Sequence, residues 1–419
     1  MKAAVVTSVA VLATMVAAPP AFAAPPAGAC EDPEPAGQVI SDLPWAQRML
    51  DPDRVWPRST GSGVTVAVID SGVDADHPQL AGKVLPGRDF FLVGTLPGNY
   101  DCDSHGTAVA SIIAADPAPG VGFHGVAPGA RILPVRVTDR AQDDNGQSDP
   151  LDPGTLANGI RYAADQGARV INLSLSGRQD FPAVHDAIGY AQAKGALIVA
   201  AAGNRPGQAP SDPTQSYPAQ YDGVLGVGAI DNAGNRADES QTGPYVDIVA
   251  PGKAVVAAHR VRGHDYWDGT SFAAPFVAAT AALVWAAWPQ LTAQQVASRL
   301  IATADLAPGG LGSMEYGAGV VDPYRAVTEG LSGQPAAMPP VTTPRPDPAA
   351  ERAAAWWQGR SQLAGLAAIA VLAAILLAAA AYAVVKRGRP RRWLPATAVS
   401  PPPQSAAEPP EQRFLFPHP

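Results

Sequence analysis

Between residues 61 and 330, short runs of apolar residues alternate with longer stretches whose apolar positions recur at helical spacing. Val64–Ile69 is β-branched and apolar almost throughout, and it ends at Asp70-Ser71-Gly72. Further strand candidates are Ala130–Val137, Arg169–Leu175, Ala196–Ala201, Gly223–Ile230 and Val246–Val249. Helical stretches lie between them at His105–Ala115, Thr155–Gln166 and Ala183–Lys194. Strands that are apolar on both faces belong to sheets covered on both sides, and their alternation with helices predicts an α/β fold with a mostly parallel sheet. Ligand sites in such sheets lie outside the C-terminal strand ends. Asp70 and Asn204 fall just past two of these ends.

One further stretch organises the second half. Trp267 to Pro275 reads Trp-Asp-Gly-Thr-Ser-Phe-Ala-Ala-Pro and runs into the apolar segment Phe276–Trp288, stopped by Pro289. Gly269 permits a tight turn and Ser271 falls at the start of a helix, where free N–H groups and the helix dipole favour negative charge. Pro275 is tolerated by its closeness to the helix start. On its own this serine reads equally well as the N-cap of a core helix.

The flanks have a different pattern. Residues 1–23 carry one early positive charge, an apolar stretch and Ala21-Phe22-Ala23, which is the pattern of a cleaved signal peptide. Residues 24–60 form an N-terminal arm rich in Pro and charge, with a weak amphipathic stretch at Leu43–Leu50; it reads as a cleavable propeptide or a permanent arm. After the globular pattern of 61–330 come a Pro-rich linker at 331–360 and a C-terminal transmembrane helix at 361–385, within which Leu363–Val385 carries no charge. Trp356 and Trp357 precede the span and Lys386, Arg387, Arg389, Arg391 and Arg392 follow it, which puts the tail 386–419 in the cytoplasm and the body outside.

Charge sharpens the picture. The chain has a net charge of −8, and the tail is basic while the body is acidic. An acidic body offers no footprint for nucleic acid. The two cysteines, Cys30 and Cys102, read as one disulfide in an exported protein. His77 belongs to a turn, and His124, His185, His259, His264 and His418 form no pair with metal-ligand spacing. The loop Thr138–Gly154 holds Asp139, Asp143, Asp144, Asp149 and Asp152; its spacing matches no calcium loop and it reads as solvated. No cofactor or metal is implied.

Three motifs then stand in order: Asp70-Ser71-Gly72, His105-Gly106-Thr107 and Gly269-Thr270-Ser271. A serine hydroxyl is a poor nucleophile at neutral pH and needs a base to take its proton. A histidine has the intrinsic pKa for that work, and an aspartate can fix its tautomer. Ala201-Ala202-Gly203-Asn204 supplies a fourth piece, since acyl transfer needs donors aimed at the oxyanion. The Asn204 amide and the Ser271 N–H are the candidates; the bland reading of Asn204 is a turn residue.

These motifs resemble those of the subtilisin-like serine proteases, the subtilases. The likeness covers about residues 61–330 and includes His77-Pro78-Gln79-Leu80, His105 to Ala110 and Gly125-Val126-Ala127-Pro128. It implies an endopeptidase with Asp70, His105 and Ser271 as triad and Asn204 as oxyanion residue, acting on a protein or peptide substrate. The strand Val170–Gly177 resembles the family's substrate-binding strand, so Ser174, Leu175 and Ser176, with Ala202 and Gly203, are expected to bind substrate. Many subtilases have Gly where Ser176 stands, so specificity does not carry over. The signal peptide, the arm with its cysteine, Asp101-Cys102-Asp103-Ser104-His105, the linker and the membrane helix resemble the mycosins, membrane-anchored subtilases of type VII secretion systems. That likeness implies an arm wrapped on the catalytic domain and a secretion membrane complex as partner. A mainly structural role in such a complex, or a general surface protease, are the alternative readings.

Overall fold

A computed structural model describes residues 29–331 except 31–32, 93–94, 140–150 and 206–213, and beyond them only Leu377 and Tyr382. The chain divides into two units, 1–344 and 345–419, and every element below belongs to the first. The signal peptide, the membrane span, the tail and most of the linker and acidic loop lie outside the described residues.

Seven parallel strands form the central sheet: β1 (Thr65–Asp70), β2 (Arg88–Asp89), β3 (Arg131–Arg136), β4 (Val170–Leu173), β5 (Leu197–Ala201), β6 (Val224–Ile230) and β7 (Ile248–Pro251). Their spatial order is β2-β3-β1-β4-β5-β6-β7. The strand order therefore changes direction at β1 and β4, and the crevice at such a switch point is where open α/β sheets take ligands. All the expected strands are present with shifted ends; β7 begins at Ile248, two residues later than the apolar pattern placed it. The two-residue β2 has no such pattern and was not expected from the sequence.

Side chains alternate across each strand. Val66 and Val68 of β1, Val170 of β4 and Val199 of β5 enter the larger core. Ala67, Ile69, Ile171 and Ile198 enter the second core on the opposite face. The larger core holds α2 (His105–Ala114) and α5 (Thr270–Ala287), and the second holds α3 (Pro153–Asp165) and α4 (Pro182–Ala193). Helix α5 is apolar enough by length and composition to cross a membrane, yet 83% of it is buried in the protein. It is the core helix of the domain, and each of its larger side chains, such as Phe276, Leu283 and Trp285, contributes about 1.5–3 kcal/mol of burial. Helix α3 starts at Pro153, two residues before the expected Thr155, because Asp152 caps it by accepting the Thr155 N–H.

Further elements were not expected from the sequence. An antiparallel hairpin pairs β8 (Val255–Ala258) with β9 (His264–Trp267). Helix α6 (Ala293–Ala302) opens with a complete capping box between Thr292 and Gln295. That Thr-x-x-Gln spacing was readable before the structure was known.

The arm packs on this framework. Gln38 bridges His264 of β9, and Gly37 N–H donates to Arg262 O at 2.9 Å. The weak amphipathic stretch becomes α1 (Trp45–Leu50), with Ala46 and Leu50 buried in the larger core. The Trp45 indole N–H donates to Ala254 O at 2.9 Å. Cys30 and Cys102 are joined, their Cα atoms 5.5 Å apart.

Candidate active site

Asp70 is the last residue of β1 and shares the face of Val66 and Val68, so its carboxylate points to the side that carries α2 and α5. Its Oδ1 accepts the Ser71 N–H and the His105 Nδ1–H, both at 2.7 Å. His105 is the first residue of α2. Helix and strand meet so closely that a Cβ on Gly106 would stand 2.0 Å from Gly72 O. Glycine is therefore required beside the histidine.

A buried carboxylate that sequence reading left without a role holds this junction. Asp101 accepts the Thr107 N–H at 2.9 Å and the Thr107 hydroxyl at 2.6 Å. It also accepts the Ser71 hydroxyl at 3.0 Å, and Ser71 Oγ in turn accepts the Gly106 N–H. Burial pushes the Asp101 carboxyl above the usual carboxylate range, against the hydrogen bonds from Thr107 and Asp103. Ser104, just before α2, has a φ of 79°, a conformation rare outside glycine. Its hydroxyl is held by His259 Nδ1 at 3.2 Å and by the Arg260 N–H.

The electrostatics at His105 oppose one another. Burial is the largest influence and lowers the imidazole pKa; the charge and hydrogen bond of Asp70, with Asp103 and Asp101 behind it, more than offset it and hold the group up at about 9.

Ser271 sits in the first turn of α5, whose N-cap is Gly269 at φ 124°. A Cβ on Gly269 would come within 3.0 Å of Asn204 Nδ2. Asn204 follows β5, and its Oδ1 accepts the Thr270 N–H at 3.0 Å and the Thr270 hydroxyl at 3.1 Å. Both donors fix the amide with Oδ1 toward α5, which leaves Nδ2 as the donor available to a ligand. The Ser271 hydroxyl donates to Ser174 O at 3.1 Å rather than to His105. The ring of Phe272 lies 5.0 Å from that of His105 and backs it.

Pro275 is not at the helix start as expected, but a full turn inside it. Its tolerance has another cause, since the carbonyl it leaves without a helical donor, that of Ser271, accepts the Ser174 hydroxyl at 2.6 Å.

Asp70, His105, Ser271, Asn204, Ser174, Leu175 and Ser176 all border one cavity of about 560 Å³ at the switch point of the sheet. Ala202 and Gly203, expected to bind substrate, do not border it. Ala202 is buried in the second core, and Gly203 is buried at a φ of 97°, where a Cβ would stand 2.6 Å from Gln241 Oε1 and 2.9 Å from Ser176 Oγ at the cavity's edge. A serine, an imidazole–carboxylate pair and an amide donor in one cleft can together carry acyl transfer.

The sequence profile of the subtilase family, peptidase S8, matches residues 61–319. The chain belongs to the subtilases. Among relatives, Mycosin-1 of Mycolicibacterium smegmatis is 38% identical over 74% of this chain and 79% of its own length. Thermitase of Thermoactinomyces vulgaris is 36% identical over 70% of this chain and 99% of the relative. Among solved structures, MycP1 from Mycobacterium smegmatis superposes with a TM-score of 0.63 at 35% identity, covering 75% of this subtilase and 94% of that chain. A structure of the MycP3 protease from the type VII (ESX-3) secretion system gives a TM-score of 0.60 at 34% identity, covering 74% and 98%. This subtilase is thus a subtilisin-like serine protease with the expected sheet and helices.

Proposed function

We propose that this subtilase is a mycosin-type endopeptidase, anchored in the cell membrane, whose Ser271 attacks the scissile carbonyl of a protein substrate. His105 Nε2 accepts the serine proton and later delivers it to the leaving amine, while Asp70 holds the proton on Nδ1 and stabilises the imidazolium. Asn204 Nδ2 and the Ser271 N–H receive the oxyanion, and water then releases the acyl group from Ser271 by the reverse proton path. Attack requires the Ser271 hydroxyl to rotate from Ser174 O toward His105. The observation that carries the reading is the 2.7 Å Asp70–His105 pair facing the same cavity as Ser271 and Asn204.

The division into signal peptide, arm, peptidase domain, linker, membrane helix and cytoplasmic tail belongs to the same proposal. The charge-free span and its Lys/Arg cluster support it. The mycosin relatives, some described as components of type VII secretion systems, support a secretion complex as partner.

The deciding experiment is labelling with a fluorophosphonate. Wild type should react and Ser271→Ala should not, with the fold retained at a loss of no more than about 1 kcal/mol. Undiminished peptidase activity in Ser271→Ala would overturn the mechanism. A reporter fused after Pro419 should be active only in the cytoplasm.

A further inference from the structure

An α-helix bonds each N–H to the carbonyl four residues earlier. The carbonyl of Ser271 therefore looks to residue 275, which is proline and has no N–H to give. The gap is filled from the sheet. Ser174 Oγ–H donates to Ser271 O at 2.6 Å, and Ser174 Oγ itself accepts Nδ2–H of Asn172 at 2.9 Å. In return the Ser271 hydroxyl donates to the carbonyl of Ser174 at 3.1 Å.

Asn172 lies on β4 and Ser174 just beyond its end, two residues apart and so on one face, toward α5. Asn172 is fully buried, and its Oδ1 has no hydrogen-bond partner. Its amide is thus held through the one bond it gives to Ser174. A buried acceptor left unmatched in a native core asks for a reason, and here the other end of the same amide supplies it.

We propose that Asn172 and Ser174 are positioning residues for the reaction. The relay from Asn172 through the Ser174 hydroxyl to the Ser271 carbonyl sets the first turn of α5 against the sheet, in place of the bond that Pro275 omits. An intrahelical bond would fix Ser271 only relative to its own helix. A bond from the end of β4 fixes it relative to the strand that borders the cleft and to Asp70 on the neighbouring β1. The hydroxyl of Ser174 thereby acts on the serine rather than on substrate. This inference rests on the reading of Ser271 as nucleophile.

The test uses full-length protein extracted from membranes, a fluorophosphonate as probe and fluorescent casein as substrate. Ser174→Ala should lower the maximal labelling rate and kcat by roughly tenfold to a hundredfold, the scale of a small misplacement of a reacting group, with KM little changed. Asn172→Ala should shift the same parameters in the same direction. Ser174→Thr keeps the hydroxyl and should restore both. Pro275→Ala supplies the missing N–H, so Ser174→Ala/Pro275→Ala should recover much of the lost rate; unfolding midpoints of all variants separate this from loss of fold. Unchanged kcat and labelling in Ser174→Ala, or strictly additive losses in the double variant, would overturn the relay while leaving Ser271 as nucleophile. Failure of wild type to be labelled at Ser271 would remove the nucleophile itself, and the relay with it.

Discussion

Asp70 and His105 meet at 2.7 Å across a seam between the end of β1 and the start of α2, with side chains 3% and 12% exposed. The pair combines a largely buried imidazole with a buried carboxylate whose Oδ1 also accepts the Ser71 N–H, and the titration of the imidazole follows from that.

Because His105 is held above 6.5, near 9, it is protonated and unable to act as base at neutral pH in much of the free enzyme. Casein hydrolysis should therefore rise with pH through an apparent pKa above 6.5. Asp70→Asn removes the charge that offsets burial, so its residual activity, lower by roughly 10⁴, should rise at lower pH than wild type. A wild-type midpoint at or below 6.5 would contradict the argument.

Gly106→Ala should be far worse than an ordinary helix substitution. The new Cβ would stand 2.0 Å from Gly72 O, so α2 must move away from β1 and separate His105 from Asp70. Overpacking of this kind costs about 1–3 kcal/mol or more, and kcat should fall with the unfolding midpoint. Gly189→Ala on α4 meets nothing within 4 Å and is the control, expected to stabilise by up to about 1 kcal/mol.

Replacing both cysteines by serine opens a loop between residues 72 positions apart. On the chain-entropy account this lowers stability by about 4 kcal/mol, measurable by denaturant titration with and without reductant. N-terminal sequencing of the membrane-derived protein should place the mature terminus before Cys30. A terminus near Thr60, with activity gained on cleavage, would make the arm a removable inhibitor.

The arm should loosen in acid. His264 is buried, with Nδ1 accepting the Ile40 N–H at 3.2 Å and Nε2 facing Gln79 Oε1 at 2.7 Å, which fixes a neutral ring protonated on Nε2. Burial, with His77 nearby, pushes its pKa down to about 4. The folded value lies below the unfolded 6.5, so its stabilisation is complete above pH 6.5 and is lost as pH falls toward 4. Limited proteolysis within residues 33–60 should accelerate over that window in wild type and over a smaller range in His264→Gln.

Much of the domain was legible because its signals are local. The buried strands read as apolar runs, and Asp70, His105 and Ser271 each stand at an element end marked by glycine. What escaped is held by distant partners. His264 looks like any polar residue until Gln38 and Gln79 are brought beside it. Asp101 acquires a role only when Ser71 and Thr107 converge on it. Ala202 and Gly203 adjoin Asn204 in sequence, but only Asn204 of the three lines the cavity, and Ala202 is buried in the second core. Pro275 was misplaced by a turn because the donor that compensates for it, Ser174, comes from beyond the end of β4, remote in sequence.

The pairing of Gln38 with His264 spans 226 positions, and Asp70 waits for a serine 201 positions downstream. A chain made from its N-terminus has an arm with no hairpin to join until residue 264 exists, and an aspartate and histidine with nothing to activate until residue 271 follows. Contacts so remote in sequence form late. The same few residues, 264 to 271, complete the arm's seat and carry the proposed nucleophile, so the two are expected to form together.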